Sequence, residues 1–353
     1  MTIQLSKMQG PTILVTGGAG FVGSNLLAAL GAEHPDAHLL VIDDLRSSSF
    51  ANIVEAFDRR GLPPFAGSLH PWTTGDLDWN DLIESVEPGA IFHLAAITDT
   101  TVMDEQAMLE ANVDGFRDLM IAAASRAIPL VYASSAATYG TPAQTTQREP
   151  FPVLAAGRPN NIYGFSKWMM ECEHRRLEVE WRDETGDTPH IVGLRYFNVF
   201  GPGEARKGKM ASMAYQLAQQ MLSGKPPRLF SDGSQARDQI HVDDVVSCTI
   251  AASADGVSPG VYNLGSGVAT SFADVAVAVR DGLGLSEQEF PIDYFEMPEH
   301  IRAFYQDFTQ ADMSQTEQGL GWKPELDPVE ALRSYGRWMA TTSPAVQADL
   351  AAR

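Results

Sequence analysis

A chain of 353 residues, 44% hydrophobic and 20% charged, can bury a large core as one big domain or two unequal ones. Its net charge of -20 leaves no broad basic face, which argues against nucleic acid or an anionic membrane as partner but leaves room for a small anionic ligand in a local basic pocket. The two cysteines, Cys172 and Cys248, form neither a metal-ligand cluster nor a disulfide framework. With no signal peptide and no run approaching the ~20 apolar residues of a membrane span, they point to a reducing, cytoplasmic setting.

Thr12-Ile13-Leu14-Val15-Thr16 reads as a buried strand. Gly17-Gly18-Ala19-Gly20-Phe21-Val22-Gly23 follows, then a helical run from Ser24 to Leu30. Strand, glycine turn and helix together form the context of a dinucleotide loop. Gly17 permits the tight turn, Gly20 lets a pyrophosphate approach the backbone, and Gly23 lets helix and sheet pack closely; helix N-terminal amides face the phosphates.

The next strand, His38–Ile42, ends in Asp43-Asp44, about 20 residues past the glycines and placed for the adenosine ribose hydroxyls. A carboxylate there repels a 2′-phosphate and favours NAD; Arg46 nearby keeps NADP open. Apolar strands over Ala90–Ala96, Leu130–Ser135 and Ile191–Arg195 follow, separated by helical segments such as Met108–Ala124. This alternation predicts a doubly wound parallel α/β sheet of Rossmann type, with ligands at the carboxyl ends of its strands. Candidate cofactor contacts there are Leu94, Ala95, Ala96, Thr98 and Val199, with Ser134, Ser135 and Asn198 also at strand ends. Asp76 is a candidate for the adenine or a solvated loop acid. Asn112, a mediocre helix former, is a further candidate cofactor contact, with a packed polar role or a neutral surface one as the readings of the residue itself.

Asn160 to Lys167 reads as a loop entering a helix, with Tyr163 and Lys167 on one face. A phenol titrates near ~10, and a nearby ammonium lowers that value, so the two can form a proton-transfer group working near neutrality.

With the glycine turn, Ser134-Ser135 and Tyr163/Lys167 in place, the chain resembles an extended short-chain dehydrogenase/reductase over nearly its whole length. The resemblance implies NAD or NADP binding and a Ser–Tyr–Lys centre. Ser135 would hydrogen-bond the reacting oxygen, Tyr163 would move the proton, and Lys167 would hold the nicotinamide ribose and depress the phenol pKa. Phe21 and Val22 would touch the cofactor.

The blocks Lys207-Gly208-Lys209-Met210-Ala211-Ser212 and Phe308-Thr309-Gln310-Ala311-Asp312 narrow the resemblance to the ADP-L-glycero-D-manno-heptose 6-epimerase branch. That implies hydride removal from C6 by a tightly held cofactor, rotation of the resulting ketone, and hydride return to its other face. Lys207 matches the branch's second proton-transfer residue; on sequence alone it is as well read as a solvated lysine beside Arg206 and Lys209. The resemblance also assigns to the substrate Asn198 near the diphosphate, Arg237 on its phosphates, Tyr305 over the nucleotide or sugar, and Lys209 and Phe230. Lys209 stands where the branch has Ser, Gln216 where it has His, Asp44 where it has Asn, and Ser48 or Ser49 where it has a base. The first two put the sugar in question; the others favour NAD.

The expected organisation is an NAD(P)-binding domain of residues 1–198 plus about 240–264, with 199–239 and 265–353 forming a smaller α/β substrate domain. Gly265-Ser266-Gly267 would be the second exit, and Phe272–Leu283 and Val329–Met339 amphipathic helices. Because the helix bearing Tyr163 builds a dimer bundle in many relatives, a homo-oligomer is expected. A UDP-hexose 4-epimerase is the alternative; a non-catalytic NAD(P)H-binding protein ranks lower, as does a 4,6-dehydratase, since Ala136-Ala137-Thr138 lacks the required acid pair.

Overall fold

The computed structural model describes residues 12–102, 104–140, 148–297 and 306–342. Thr12–Thr16 (β1), His38–Ile42 (β2), Ser68–His70 (β3), Ala90–His93 (β4), Leu130–Ser135 (β5) and Ile191–Tyr196 (β6) lie in one sheet. The chain leaves it through Asn198–Phe200 (β7), Arg228–Phe230 (β8) and Ala236–His241 (β9), then returns as Gly260–Leu264 (β10). The seven strands run β10-β6-β5-β4-β1-β2-β3, every neighbouring pair parallel. Parallel strands are buried on both faces, which is why β1 is wholly buried and reads as an unbroken apolar run. Strand order reverses between β1 and β4, and a doubly wound sheet opens its ligand crevice at that point.

One face is covered by Phe21–Glu33 (α1), Phe50–Arg59 (α2) and, after the chain returns, the helix Val242–Ala251; their apolar sides join Ile13, Val15 and Val41 in one core. Trp79–Val86 (α3), Glu105–Asn112 (α4), Phe116–Ala124 (α5) and Ile162–Thr185 (α6) lie toward the other face, where Trp79, Phe116, Leu119, Met170 and Leu177 pack with Leu14, Ile91 and Tyr132. The single helix expected over Met108–Ala124 is two. Gly115 sits at φ +74 between them, and a Cβ there would stand 3.2 Å from the Thr74 carbonyl. Likewise β4 stops at His93 rather than at Ala96, because the chain turns over the glycine loop at Leu94.

Beyond the sheet, Met213–Leu222 (α7), the Val242–Ala251 helix (α8), Phe272–Gly282 (α9), Ser314–Leu320 (α10) and Pro328–Thr341 (α11) complete the helices among the described residues. Ala269–Ser271 (β11) joins β9 and β7 in a three-stranded sheet, and Asp293–Phe295 (β12) pairs with β8. Phe200, Leu217, Val275, Val279, Leu332 and Tyr335 form the core there.

α6 starts where Asn161 accepts from the Gly164 amide at 2.8 Å and ends at Gly186, φ +75. Its inner face places Lys167, Met170, Glu171, His174 and Leu177 at helical spacing, all buried. Glu171, fully buried, receives Arg195 of β6 in a two-pronged pair, Nε to Oε1 at 2.8 Å and Nη2 to Oε2 at 2.6 Å. Ser134 donates to the same carboxylate at 2.6 Å. Arg195 also donates to Tyr139 Oη (2.9 Å) and the Val153 carbonyl (2.7 Å), and Tyr139 donates to Asn263 Oδ1 (2.7 Å).

Removing one member of a buried pair strands the other charge in the core. Arg195→Met is therefore expected to lower folding stability by about 3–5 kcal/mol. Urea unfolding against the parent chain measures this; a loss under about 1 kcal/mol would show that the pair holds nothing up.

Candidate active site

The glycine turn meets the end of β4 at contact distance. At Gly17, φ +69, an added Cβ would lie 2.6 Å from the Ala95 nitrogen, and at Gly23 it would overlap the Gly17 carbonyl. Gly20 is the N-cap of α1 and brings no side-chain cap, so the helix offers bare amides at Phe21 and Val22. Thr16 Oγ1 accepts from Ala95 N at 3.1 Å and bonds His93 Nδ1 at 2.9 Å. Burial holds His93 down to about 3, so it stays neutral.

Asp43 is buried and braces this turn. Its carboxylate accepts from Ala19 N (2.9 Å), Leu45 N (3.0 Å) and Ser48 Oγ (2.6 Å). Asp44 is exposed and pairs with Arg46 at 3.2 Å. Arg46 is thus tied to a carboxylate. Asp76, also exposed, closes a short 3-10 turn that begins at Thr74.

Asn112 is buried at the end of α4 with its amide spent within the protein. It accepts from Ile97 N (2.7 Å) and donates to the Ile97 carbonyl and Ser166 Oγ (both 3.0 Å). It clips the loop carrying Leu94, Ala95, Ala96 and Thr98 to α6, so of its two expected roles the packed polar one is what the geometry displays.

Ser135 ends β5, and its hydroxyl hydrogen-bonds Tyr163 and accepts from Ala137 N at 3.1 Å. Ser134, one residue earlier, is committed to Glu171, which separates the two serines. Lys167 lies one turn beyond Tyr163 with its ammonium buried, near Met170 Sδ at 3.7 Å, and desolvation lowers it to about 7. The expected depression of the Tyr163 phenol by Lys167 is not found. Burial raises Tyr163, the Ser135 hydrogen bond opposes that, and Lys167 has no resolved influence. A desolvated lysine that is half neutral near pH 7 brings little charge to its neighbour.

The three bases after Glu204 part company. Arg206 turns to α2, to Glu55 (3.2 Å) and Asn52 (3.2 Å), and Lys209 is exposed. Lys207 points inward with Nζ 5.5 Å from the Phe21 ring centroid, beside the glycine loop; burial lowers its pKa and Glu204 opposes that. Gln216 donates to the carbonyls of Lys209 (3.2 Å) and Ala211 (2.8 Å), fastening the loop.

On the three-stranded sheet, Asn198 pairs with Gln239 and Thr270 with Arg237. Directly paired residues share a face. Arg237 is buried, its guanidinium 5.7 Å from the Phe272 ring. Gln239 Oε1 and Thr270 Oγ1 are buried with no hydrogen-bond partner among the described residues. Sequence reading passed over both; their polarity inside a strand pattern was the available signal. Val199 is half-buried on β7, and Phe230 packs on Phe295 with ring centroids 4.8 Å apart. Tyr305 lies outside the described residues.

The NAD dependent epimerase/dehydratase family matches residues 13–265. The ADP-L-glycero-D-manno-heptose-6-epimerase of Helicobacter pylori superposes with a TM-score of 0.79 at 31% identity, over 97% of this chain and 100% of that one. The UDP-N-acetylglucosamine 4-epimerase of Methanobrevibacter ruminantium, in complex with UDP-N-acetylmuramic acid, gives 0.76 at 25% identity, over 93% and 97%. Bordetella bronchiseptica WbmG, in complex with NAD, gives 0.74 at 25% identity, over 93% of both chains. With the family matched across the whole parallel sheet, from the glycine turn to β10, the chain belongs to the NAD-dependent epimerases/dehydratases.

Proposed function

We propose that this enzyme is a nucleotide-sugar epimerase acting by transient oxidation and re-reduction, and that its substrate is an ADP-glycero-manno-heptose inverted at C6. The observation that carries the reading is a second, partly buried amine, Lys207, turned inward beside the glycine loop, in addition to Tyr163 hydrogen-bonded to Ser135. Inversion moves the sugar oxygen between two positions, and each needs its own proton-transfer group. Likeness to the Helicobacter pylori heptose epimerase over the full length of that chain supports the choice of sugar.

The residues present fit NAD. Uncapped amides of α1 and a cradle that a Cβ at Gly17 or Gly23 would fill suit the pyrophosphate, and the buried Lys167 ammonium suits the hydroxyls of a ribose. When bound, NAD supplies hydride acceptance and return at one carbon. Gly17, Gly20, Phe21, Val22 and Gly23 would hold its phosphates. Asp43 and Asp44 would meet the adenosine ribose, and Asp76 the adenine. Leu94, Ala95, Ala96, Thr98 and Val199 would line the nicotinamide end. Ser135 donates to the reacting oxygen, Tyr163 exchanges its proton in one position, and Lys207 does so in the other. Arg237 holds the substrate diphosphate, with Asn198, Gln239 and Thr270 on the same sheet face, and residues 199–239 and 265–353 would form the substrate domain. Lys209 and Phe230 would also contact the substrate, as would Tyr305.

The two free thiols, Cys172 and Cys248, favour a reducing, cytoplasmic setting. The outer face of α6, with Phe165 43% and Val179 55% exposed, would pair copies of the chain. No helix among the described residues is long and apolar enough to cross a membrane. A 4-epimerase acting on a UDP-hexose is the second reading, favoured by Lys209 and Gln216 standing where the heptose branch has Ser and His.

Incubation with ADP-D-glycero-D-manno-heptose, without added cofactor, should produce the L-glycero epimer, followed through the C6 proton signals by NMR. Lys207→Met should slow that turnover by about 100-fold or more. No conversion even with NAD supplied, or a Lys207→Met enzyme of near-parental rate, would redirect the assignment to a UDP-hexose.

Lys167 generates a separate test. Its proton affinity is lowered on folding, so between about pH 7 and 10.5 the unfolded chain holds a proton that the folded one has released, and stability rises with pH across that window. Lys167→Met removes the buried cation. Without added NAD the variant should melt no lower than the parent at pH 6, with its relative advantage shrinking toward pH 10, while NAD affinity falls about 10- to 100-fold. Scanning calorimetry and an NAD titration measure the two; a lower melting temperature with intact affinity would make Lys167 a plain core residue.

A further inference from the structure

Glu204 is fully buried, yet the assigned chemistry makes no use of it. Its carboxylate accepts from the Gly201 amide (3.1 Å), the Ser212 amide and the Ser212 hydroxyl (2.9 Å), which closes the intervening loop into a cinched ring. Tyr335 of α11 places its hydroxyl against the same carboxylate. On the loop's other side, Lys207 N donates to the Glu204 carbonyl at 2.9 Å. The loop is also tied to α1, because Asn25 Nδ2 donates to the carbonyls of Pro202 (3.0 Å) and Phe21 (2.8 Å). The residue whose ring faces Lys207 and the loop that carries Lys207 are thus locked by one amide.

We propose that Glu204 and Tyr335 are positioning residues for the Lys207 ammonium: the carboxylate, held by α11, fixes the loop so that the lysine stands over Phe21 and keeps a counter-charge beneath it. The proposal rests on Lys207 being the second proton-transfer group. A buried lysine loses its proton readily, and an opposite charge close by restores it. Glu204 is placed to supply that charge; burial raises its own proton affinity, and its Ser212 and Gly201 donors and Lys207 oppose that rise. The other titratable groups facing the pair are Tyr215 of α7, which feels Glu204, and Arg59 of α2, which acts on Tyr335. Arg206 is turned away to Glu55, and Lys209 is exposed. The device couples α11, the last helix among the described residues, to the loop beside the glycine turn.

The test is the ionisation of Lys207 itself. Trace labelling with acetic anhydride across a pH series, read by peptide mass spectrometry, gives the titration midpoint of each lysine without substrate, with exposed Lys209 as internal reference. Glu204→Gln should lower the Lys207 midpoint by about one pH unit and leave Lys209 where it is. Tyr335→Phe, which keeps the ring and the packing, should move it less and in the same direction, because a carboxylate with fewer donors keeps its own proton more readily. It therefore serves even if Glu204→Gln does not fold. A Lys207 midpoint unchanged in the folded variants overturns the proposal. Turnover by Lys207→Met is the independent control: a fully active enzyme would overturn the second-base reading, whatever the titration shows.

Discussion

The pair between Glu171 and Arg195 is the interaction on which the rest of the site depends. It sits inside the sheet–helix interface, with both side chains at most 1% exposed, where two charges are costly unless each is matched in geometry and in hydrogen bonds. Each is. Glu171 takes both prongs of the guanidinium and the Ser134 hydroxyl, and Arg195 spends Nη1 on Tyr139 and the Val153 carbonyl. Apolar residues of similar volume would fill the same space at less cost, but they would slide. Glu171 lies one turn beyond Lys167, and Ser134 one residue before Ser135. The pair therefore fixes α6 against β5 in the register that brings Tyr163 to Ser135. Through Tyr139 and Asn263 it also reaches β10 and the carbonyls of Phe151 and Asp312, where the later segments cross the sheet.

A second buried carboxylate does comparable work at the crossing between the two halves. Asp238 of β9 accepts from Ser266 N (2.6 Å), Ser266 Oγ (2.8 Å), Gly267 N (3.0 Å) and Ala311 N (2.9 Å). It gathers three separate stretches of chain at one point. Burial nonetheless pushes it up to about 6. The folded state then binds a proton that the unfolded chain has released between about pH 4 and 6, so its contribution to stability falls as pH rises through that window. What the carboxylate provides at neutral pH is a fixed meeting of strands, at some expense in stability.

These networks also explain where sequence reading worked and where it stopped. β1, β2 and β5 were legible to the residue because fully buried parallel strands spell themselves as apolar runs between turn signals. The glycine turn was legible because only glycine fits against Ala95 and under the Gly17 carbonyl. The break at Gly115 was not, since a lone glycine in an apolar helical pattern is silent until Thr74 and Trp79 press on it. Nor were Glu171, Arg195, Glu204 and Asp238. A buried charge looks like a surface charge in sequence, and its partner lies far along the chain. Only the family resemblance set Lys207 apart from Arg206 and Lys209 in the sequence, whereas packing separates the three at once: one pinned to α2, one exposed, one turned inward.

Tyr163 and Lys167 show how little of a proton-transfer group the fold alone supplies. Burial moves both groups toward neutrality, raising the phenol and lowering the amine. The protein offers Lys167 Nζ a thioether where an ammonium wants oxygen acceptors. Hydroxyl oxygens brought to that nitrogen would stabilise its charged form, and a charged Lys167 would lower the phenol across one helical turn. Any group that restored the charge on Lys167 would thus also act on Tyr163, through the protonation of one buried amine. Without such oxygens Lys167 leaves the phenol where burial and Ser135 set it. Two desolvated groups side by side have little basic power of their own to spend on stray protons.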